Sequence, residues 1–176
     1  IKSARLFQSL QDRLSELSTI YEIGMALIST LDLEQILSLI ARNSAHSLRA
    51  QGCTIRLMNL PEIEQDKAFA LYSLAGEIIK DMDARLGGLV VNKVVQDKRA
   101  LLIQDVTKEP VFQDIPGIAA GSIIGAPLIF RDKLIGVITL YNKYEGQQFT
   151  EDDLQFLTTV ASGAAVAVEN AAMYER

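Results

Sequence analysis

Between Gly121 and Lys143 the chain reads GSIIGAPLIFRDKLIGVITLYNK, two apolar runs on either side of a short charged stretch. Runs rich in Ile, Val and Leu and broken by Arg131-Asp132-Lys133 predict a β-hairpin whose turn sits in solvent. Neither run alternates apolar with polar residues, so both strands are expected at the centre of a sheet with a cover on each face. One cover is expected to be helical and the other to enclose a cavity.

Upstream, Phe7, Leu10, Leu14, Leu17, Tyr21, Gly24, Ile28 and Leu31 are spaced 3, 4, 3, 4, 3, 4 and 3 residues apart, the seam of a helix over residues 3–31. Leu6, Ile20 and Leu27 widen that seam. It is either the face of an amphipathic helix lying on its own domain or the contact with a second copy. Asp32 stands at the N-cap position of a second helix, Glu34 to Ala50, with Ile36, Leu37, Ile40 and Leu48 turned inward. His46 near its end is expected to be structural.

Cys53, Ile55 and Leu57 then alternate with Thr54, Arg56 and Met58, a strand with one apolar and one more polar face. Residues 61–67 form an acidic loop, and 68–76 return as an antiparallel strand. Gly87-Gly88 is expected to release the chain into a short helix, 89–97, followed by a strand, 100–104. Residues 105–120, DVTKEPVFQDIPGIAA, are too long and too broken by Pro110, Pro116 and Gly117 for a hairpin connection. Leaving Val111, Phe112, Ile115 and Ile118 in water would be costly, which predicts a lid. Thr150, with Asp153 three residues on, opens the last helix in a near capping-box pattern. Its row Leu154, Leu157, Ala161, Ala164, Val168 and Ala171 faces a close neighbour, and Gly163 with the alanines predicts the sheet on one side and the first helix on the other.

The fold class that follows is α+β: a central antiparallel β-sheet with the N- and C-terminal helices on one face and a short helix plus lid loop on the other. The expected organisation is an N-terminal helix at 1–31, a core at 32–153, and a C-terminal helix at 154–176 that runs on into a following domain.

Length and charge narrow the function. At 176 residues the chain fits one domain, large enough for folding to bury roughly 70% of its surface. Seventeen basic against 22 acidic residues, net charge −5, with no basic cluster, argue against nucleic acid as a partner. The single cysteine, Cys53, allows no internal disulfide, and one His with one Cys cannot assemble a three-ligand zinc set. A reducing, cytoplasmic compartment and no direct membrane contact are expected. The first residue is Ile, which suggests a segment of a longer protein. No nucleophile stands beside a base, so an enzyme is not expected. A pocket is expected between the sheet face carrying Thr54, Arg56, Val137 and Thr139, the short helix with Val90 and Val91, and the lid with Phe112, Ile115 and Ile118. Arg56 would suit a carboxylate, a phosphate or a stacked ring, or is simply a solvated strand residue.

The order of elements, and the strings at Leu27 to Leu37, IQDVTKEPVF at 103–112, SIIGAPL followed by KLIGVITLYNK, and FTEDDLQFLTTVASGAAVAVENAAMYE, resemble a GAF domain. That module, similar in shape to PAS domains, binds small molecules in signalling proteins. The helix continuing past Asn170 is similar to the signalling helices of sensor histidine kinases and nucleotide cyclases. The resemblance implies a regulatory small-molecule-binding sensor domain that acts as a parallel homodimer through its terminal helices. The alternatives are a ligand-free dimerisation module or a cyclic-nucleotide-binding domain. Asn142, Lys143, Phe149 and Asp153 match the motif of the nucleotide-binding members, but Leu154 replaces its final Glu and Thr139 stands where a pocket acid is expected. A Lys143–Asp153 ion pair would tie the last strand to the last helix. The cofactor is unknown. A covalent bilin is not expected, because Cys53 lies at the start of the first strand, and a lone thiol does not suffice for the free methionine sulfoxide reductases of this fold.

Overall fold

The computed structural model of the protein describes residues 2–28, 32–61, 68–73, 82–112 and 121–174. In chain order these form α1 (Lys2–Ile28), α2 (Leu33–Ser47), β1 (Ala50–Leu57), β2 (Ala68–Ser73), α3 (Met82–Asp97), β3 (Leu101–Ile103), β4 (Ile123–Phe130), β5 (Lys133–Lys143) and α4 (Glu151–Tyr174). Three single 3-10 turns, Val106–Lys108, Pro110–Phe112 and Tyr144–Gly146, lie between them.

The strands make one antiparallel sheet in the order β2-β1-β5-β4-β3. The apolar hairpin is β4–β5, and β5 takes the middle of the sheet, where a strand without a polar face belongs. Its turn is the two residues Arg131 and Asp132, with φ of 48° and 63°, while Lys133 already pairs with Phe130. Positive φ at both positions matches the twist of the flanking strands. The Arg131 guanidinium covers the Phe130 ring at 5.2 Å.

Helices cover both faces. Against one lie α2 and α4, burying Leu37, Ile55, Leu57, Ile124, Ile138, Leu140, Leu157, Ala161, Ala165 and Val168 in the larger core. α2 starts in a full capping box: Asp32 Oδ1 accepts from Gln35 N at 2.8 Å, and Gln35 Oε1 accepts from Asp32 N at 3.1 Å. α4 is long and apolar enough over Glu151–Met173 to cross a membrane by length and composition. One of its faces is instead spent on the sheet and α2.

α3 covers the other face with Val90, Val91 and Val94, joined by Ile103, Val106, Phe112, Ile123, Val137 and Tyr141. The expected break at Gly87-Gly88 does not occur, for α3 begins at Met82 and runs through both glycines. Interior helical glycines cost about 1 kcal/mol each relative to Ala, and the buried valines of the following turns hold the helix down regardless.

Three further expectations change. Val111 is 56% exposed, while Phe112 beside it is buried; a 3-10 turn directs neighbouring side chains apart. Ile115 and Ile118 of the expected lid, and most of the acidic loop, lie outside the described residues. Gly163 faces away from the core with open space around it, because α4 turns its alanines, one step round the helix, to the sheet. Finally, α1 contacts α4, yet Leu6, Phe7, Leu10, Leu14, Leu17 and Ile20 are 52–66% exposed. Over this stretch α1 does not lie on its own domain.

Gly136 sets how closely β1 and β5 approach, since a Cβ there would stand 2.7 Å from Arg56 O and 3.1 Å from Leu57 Cδ2. Backbone cannot yield as a flexible side chain does. Gly136→Ala is expected to cost about 1–3 kcal/mol in urea unfolding, and a change below about 0.5 kcal/mol would show that the two strands separate freely.

Candidate functional site

Strand alternation assigns the sheet positions. Thr54 of β1 pairs with Thr139 of β5, and Arg56 with Val137. Gly125 of β4 pairs with Thr139 from the other side. All of these stand on the face that α3 covers, since Cys53, Ile55 and Leu57 fill the opposite core. A Cβ on Gly125 would meet Val90 Cγ1 at 3.2 Å and Val94 Cγ2 at 3.3 Å, so α3 sits tightly over the row containing Thr139.

In this layer Val90, Val91, Phe112 and Val137 are buried and packed together. Thr54, half-buried, places its hydroxyl 3.3 Å from Tyr141 Oη. Thr139 is fully buried, and its Oγ1 has no hydrogen-bond partner among the described residues. Arg56 is half-buried on β1, with Val137 on one side and Ala68 of β2 on the other. It makes no ion pair among the described residues. Tyr141, Val94 and Gly125 belong to the same layer and were missed in the sequence. For Tyr141 the signal was available, since it continues the alternation of Val137 and Thr139.

Asn142, Lys143, Phe149 and Asp153 gather elsewhere, at the junction of β5 and α4. Asn142 has φ of 55° and ends the β5 ladder in a two-point clamp: its N–H donates to Ser122 O at 2.8 Å, and its Oδ1 accepts from Ser122 N at 3.2 Å. The Ser122 hydroxyl donates to Ile103 O at 3.1 Å and accepts from Phe149 N at 2.9 Å. Phe149 is fully buried beneath. Asp153 Oδ2 accepts from Thr150 N at 2.9 Å and lies 2.8 Å from Lys143 Nζ, both side chains about 15% exposed. Thr150 Oγ1 completes the capping box from Asp153 N at 3.3 Å. Burial pushes the Asp153 carboxyl up, but the Lys143 ammonium and the Thr150 N–H outweigh it and hold the group below the usual carboxylate range. Nothing local to Ser122 in the sequence announced its part.

The described residues also border an open cleft of about 490 Å³ outside the α3 layer, between Leu102, Gln104, Lys108, Glu109 and Glu151. Asp105 on its rim is engaged by the Thr107 hydroxyl (2.6 Å) and N–H (2.9 Å), which hold its carboxyl below its ordinary value. Its charges are mixed and its walls open. Among the described residues no three side chains are grouped to hold a metal ion. Cys53 is buried, and burial pushes its thiol well up, away from the reactive thiolate. His46 is exposed on α2.

One family model, that of the GAF domain, matches residues 32–168. This chain belongs to the GAF domain family. It is 26% identical over 171 residues to the Nif-specific regulatory protein of Azospirillum brasilense, covering 92% of this chain but 27% of that protein. The homologue from Azospirillum lipoferum is 26% identical over 155 residues, 84% of this chain and 24% of that one. The chain therefore spans about a quarter of the length of these relatives. Among solved structures, the GAF domain of an Acinetobacter phosphoenolpyruvate-protein phosphotransferase superposes with a TM-score of 0.63 at 23% identity, over 88% of this chain and 93% of that one. The free methionine-R-sulfoxide reductase of Neisseria meningitidis, in complex with its substrate, gives 0.58 at 14% identity, over 88% and 89%. At these identities the two structures share the fold. The GAF domain seen here is of the kind found in signalling proteins.

The lock has a pH signature. A carboxylate whose folded pKa is depressed contributes stability above its unfolded value near 3.9, and that contribution is lost as pH falls through the lower folded value. A double-mutant cycle of Lys143→Met and Asp153→Asn is expected to show coupling of about 0.5–3 kcal/mol at pH 7, fading below about pH 4. Coupling that is constant down to pH 2 would remove the ion pair as its source.

Proposed function

We propose that this GAF domain is a regulatory sensor of a longer signal-transduction protein, binding a small molecule between the α3 layer and the sheet face of Thr54, Arg56, Val137 and Thr139. Val90, Val91 and Phe112 of the covering layer would line the ligand, with Ile115 and Ile118 of the lid closing over it. The observation that carries this reading is the Thr139 hydroxyl, buried without a partner among valines. An unsatisfied buried hydroxyl costs about 1–3 kcal/mol, and a ligand oxygen or nitrogen would remove that cost. Arg56 on the neighbouring strand adds a fixed positive charge suited to a carboxylate or phosphate.

Residues 1–31 are read as the signalling and dimerisation helix, 32–153 as the GAF core and 154–176 as the helix leading to an output domain. Ligand entry would displace α3 and the lid, and the β5–α4 lock would pass the movement of the sheet to the terminal helices. Those helices would hold a parallel homodimer, for which the exposed α1 row is the support. The segment is read as cytoplasmic, with no catalysis, no nucleic-acid partner and no membrane contact of its own. The relatives named Nif-specific regulatory proteins support a regulatory parent protein.

A second reading, a dimerisation module without a ligand, is favoured by the close packing of Val90, Val91, Val94, Phe112 and Val137, which leaves the layer filled. Cyclic-nucleotide binding has less support, because Leu154 stands in place of the motif's final Glu and Thr139 where a pocket acid is expected.

Thr139→Val separates the first two readings. The exchange is expected to stabilise the ligand-free domain by about 1 kcal/mol in thermal unfolding, while abolishing the thermal shifts given by nucleotides and by aromatic and carboxylic metabolites. Arg56→Ala is expected to weaken an anionic ligand by about 1.5–3 kcal/mol. A natively purified wild-type protein with no bound species in mass spectrometry, and no shift with any of these compounds, would favour the ligand-free module.

A further inference from the structure

β3 is the last strand in the sheet order, so one of its two sides has no neighbouring strand. The ladder fixes which groups it presents there. Asn142 N–H donates to Ser122 O, which turns the backbone groups of Ser122 toward β5. In an antiparallel strand the next residue turns its own to the other side, so Ile123 and Gly125 face β3, where their partners are Ile103 and Leu101. The Ser122 hydroxyl, which reaches Ile103 O at 3.1 Å, places that carbonyl on the same side. Leu102, between the two, therefore points its N–H and C=O out of the sheet, and no turn, loop or cap among the described residues takes them up.

The cleft of about 490 Å³ opens beside this edge, lined by Leu102 and Gln104 together with Gln148 and Glu151 from the start of α4. Leu102 is half-buried against the larger core on the α4 side of the sheet, while Leu101 joins the α3 layer. A strand laid along β3 would bond to Leu102 and send every second side chain to the face on which the cleft lies. Free backbone groups next to a pocket for alternate side chains are what strand addition uses.

Charge selects the occupant. Asp105, Glu109 and Glu151 outnumber the one ammonium, Lys108, among the groups lining the cleft. Asp105 is engaged by the Thr107 hydroxyl and N–H, which favour its ionised form. Charged side chains around an edge keep identical edges from pairing, and a second copy of this chain would bring carboxylates against carboxylates. The same charges attract a basic strand, whose lysine stems would lie on Leu102 while their ammonium groups reach the carboxylates.

We propose that the β3 edge is a docking site for an extended basic segment of a partner protein, added as a sixth strand with alternate Lys or Arg side chains in the cleft. Glu151 belongs to the first turn of α4, which also carries Asp153 of the lock, so the partner would bear on that helix directly. The site is separate from the α3 layer and does not rest on a small molecule binding there.

The probe is a capped six-residue peptide of alternating lysine and threonine, titrated into the 176-residue chain and followed by amide NMR shifts and fluorescence anisotropy. Saturable shifts centred on Leu102, Gln104 and Lys108 are expected, with no binding of the matching glutamate–threonine peptide. The lysine peptide N-methylated at every residue keeps its charge but has no N–H to give, and is expected to bind about tenfold more weakly. Glu109→Gln combined with Glu151→Gln is expected to weaken binding about fivefold, with unchanged thermal unfolding showing that the variant folds. Equal binding of the N-methylated peptide, or shifts that centre on β2 and leave Leu102 unmoved, would overturn strand addition at β3. Binding unaffected by the double variant would overturn the charge selection, and no binding of the lysine peptide would overturn the proposal outright. Shifts of Leu102 that grow with protein concentration in the absence of peptide would assign the edge to a second copy instead.

Discussion

From Leu134 to Tyr141 every residue of β5 is buried, so this strand cannot border water on either side. The condition dictates the remaining architecture. Two strands must flank it to satisfy its backbone groups, and each face needs its own cover. α2 and α4 supply one with Leu, Ile and Ala, α3 the other with valines. Gly125 and Gly136, on either side of the central ladder, let the cover and the neighbouring strand approach within van der Waals contact.

The two covers are not equivalent. Beneath α2 and α4 the described layer is apolar apart from Ser44 and Ser122, the latter with its hydroxyl bonded to Ile103 O and Phe149 N. Beneath α3 it contains the hydroxyls of Thr54, Thr139 and Tyr141, one of them unpaired. A polar atom in a buried apolar layer lowers stability unless something bonds to it. That difference in satisfaction distinguishes the α3 side from the side covered by α2 and α4. The Ser122–Asn142–Phe149 bonds and the Lys143–Asp153 pair connect the two, because they tie the end of β5 to the first turn of α4. Residues shared with the nucleotide-binding motif thus have a mechanical use in this chain without any ligand.

Short-range rules were readable in the residues. The Asp32–Gln35 and Thr150–Asp153 caps each close between positions three apart, and the alternation in β1 separated its faces because side chains in a strand point to opposite sides at every step. The inner row of α4 followed from its period. Where a feature depended on neighbours distant in the chain, the residues were silent or misleading. Gly87-Gly88 reads as a break, yet helix continuity there is set by burial a turn later. Nothing beside Ser122 in the sequence marks it, yet it joins Ile103 to Phe149.

The sequence by itself determined the α+β class, the hairpin and its turn, the starts of α2 and α4 and the two-faced first strand, because each rests on periodicity or on contacts within a few residues. Only the tertiary structure decided that Thr139 is left without a partner among the described residues, that Asn142 clamps Ser122, and that Phe7, Leu10, Leu14 and Leu17 of α1 remain exposed. Those facts depend on which surfaces meet once strands far apart in the chain have paired, and a pattern of residue types holds no distances across the sheet.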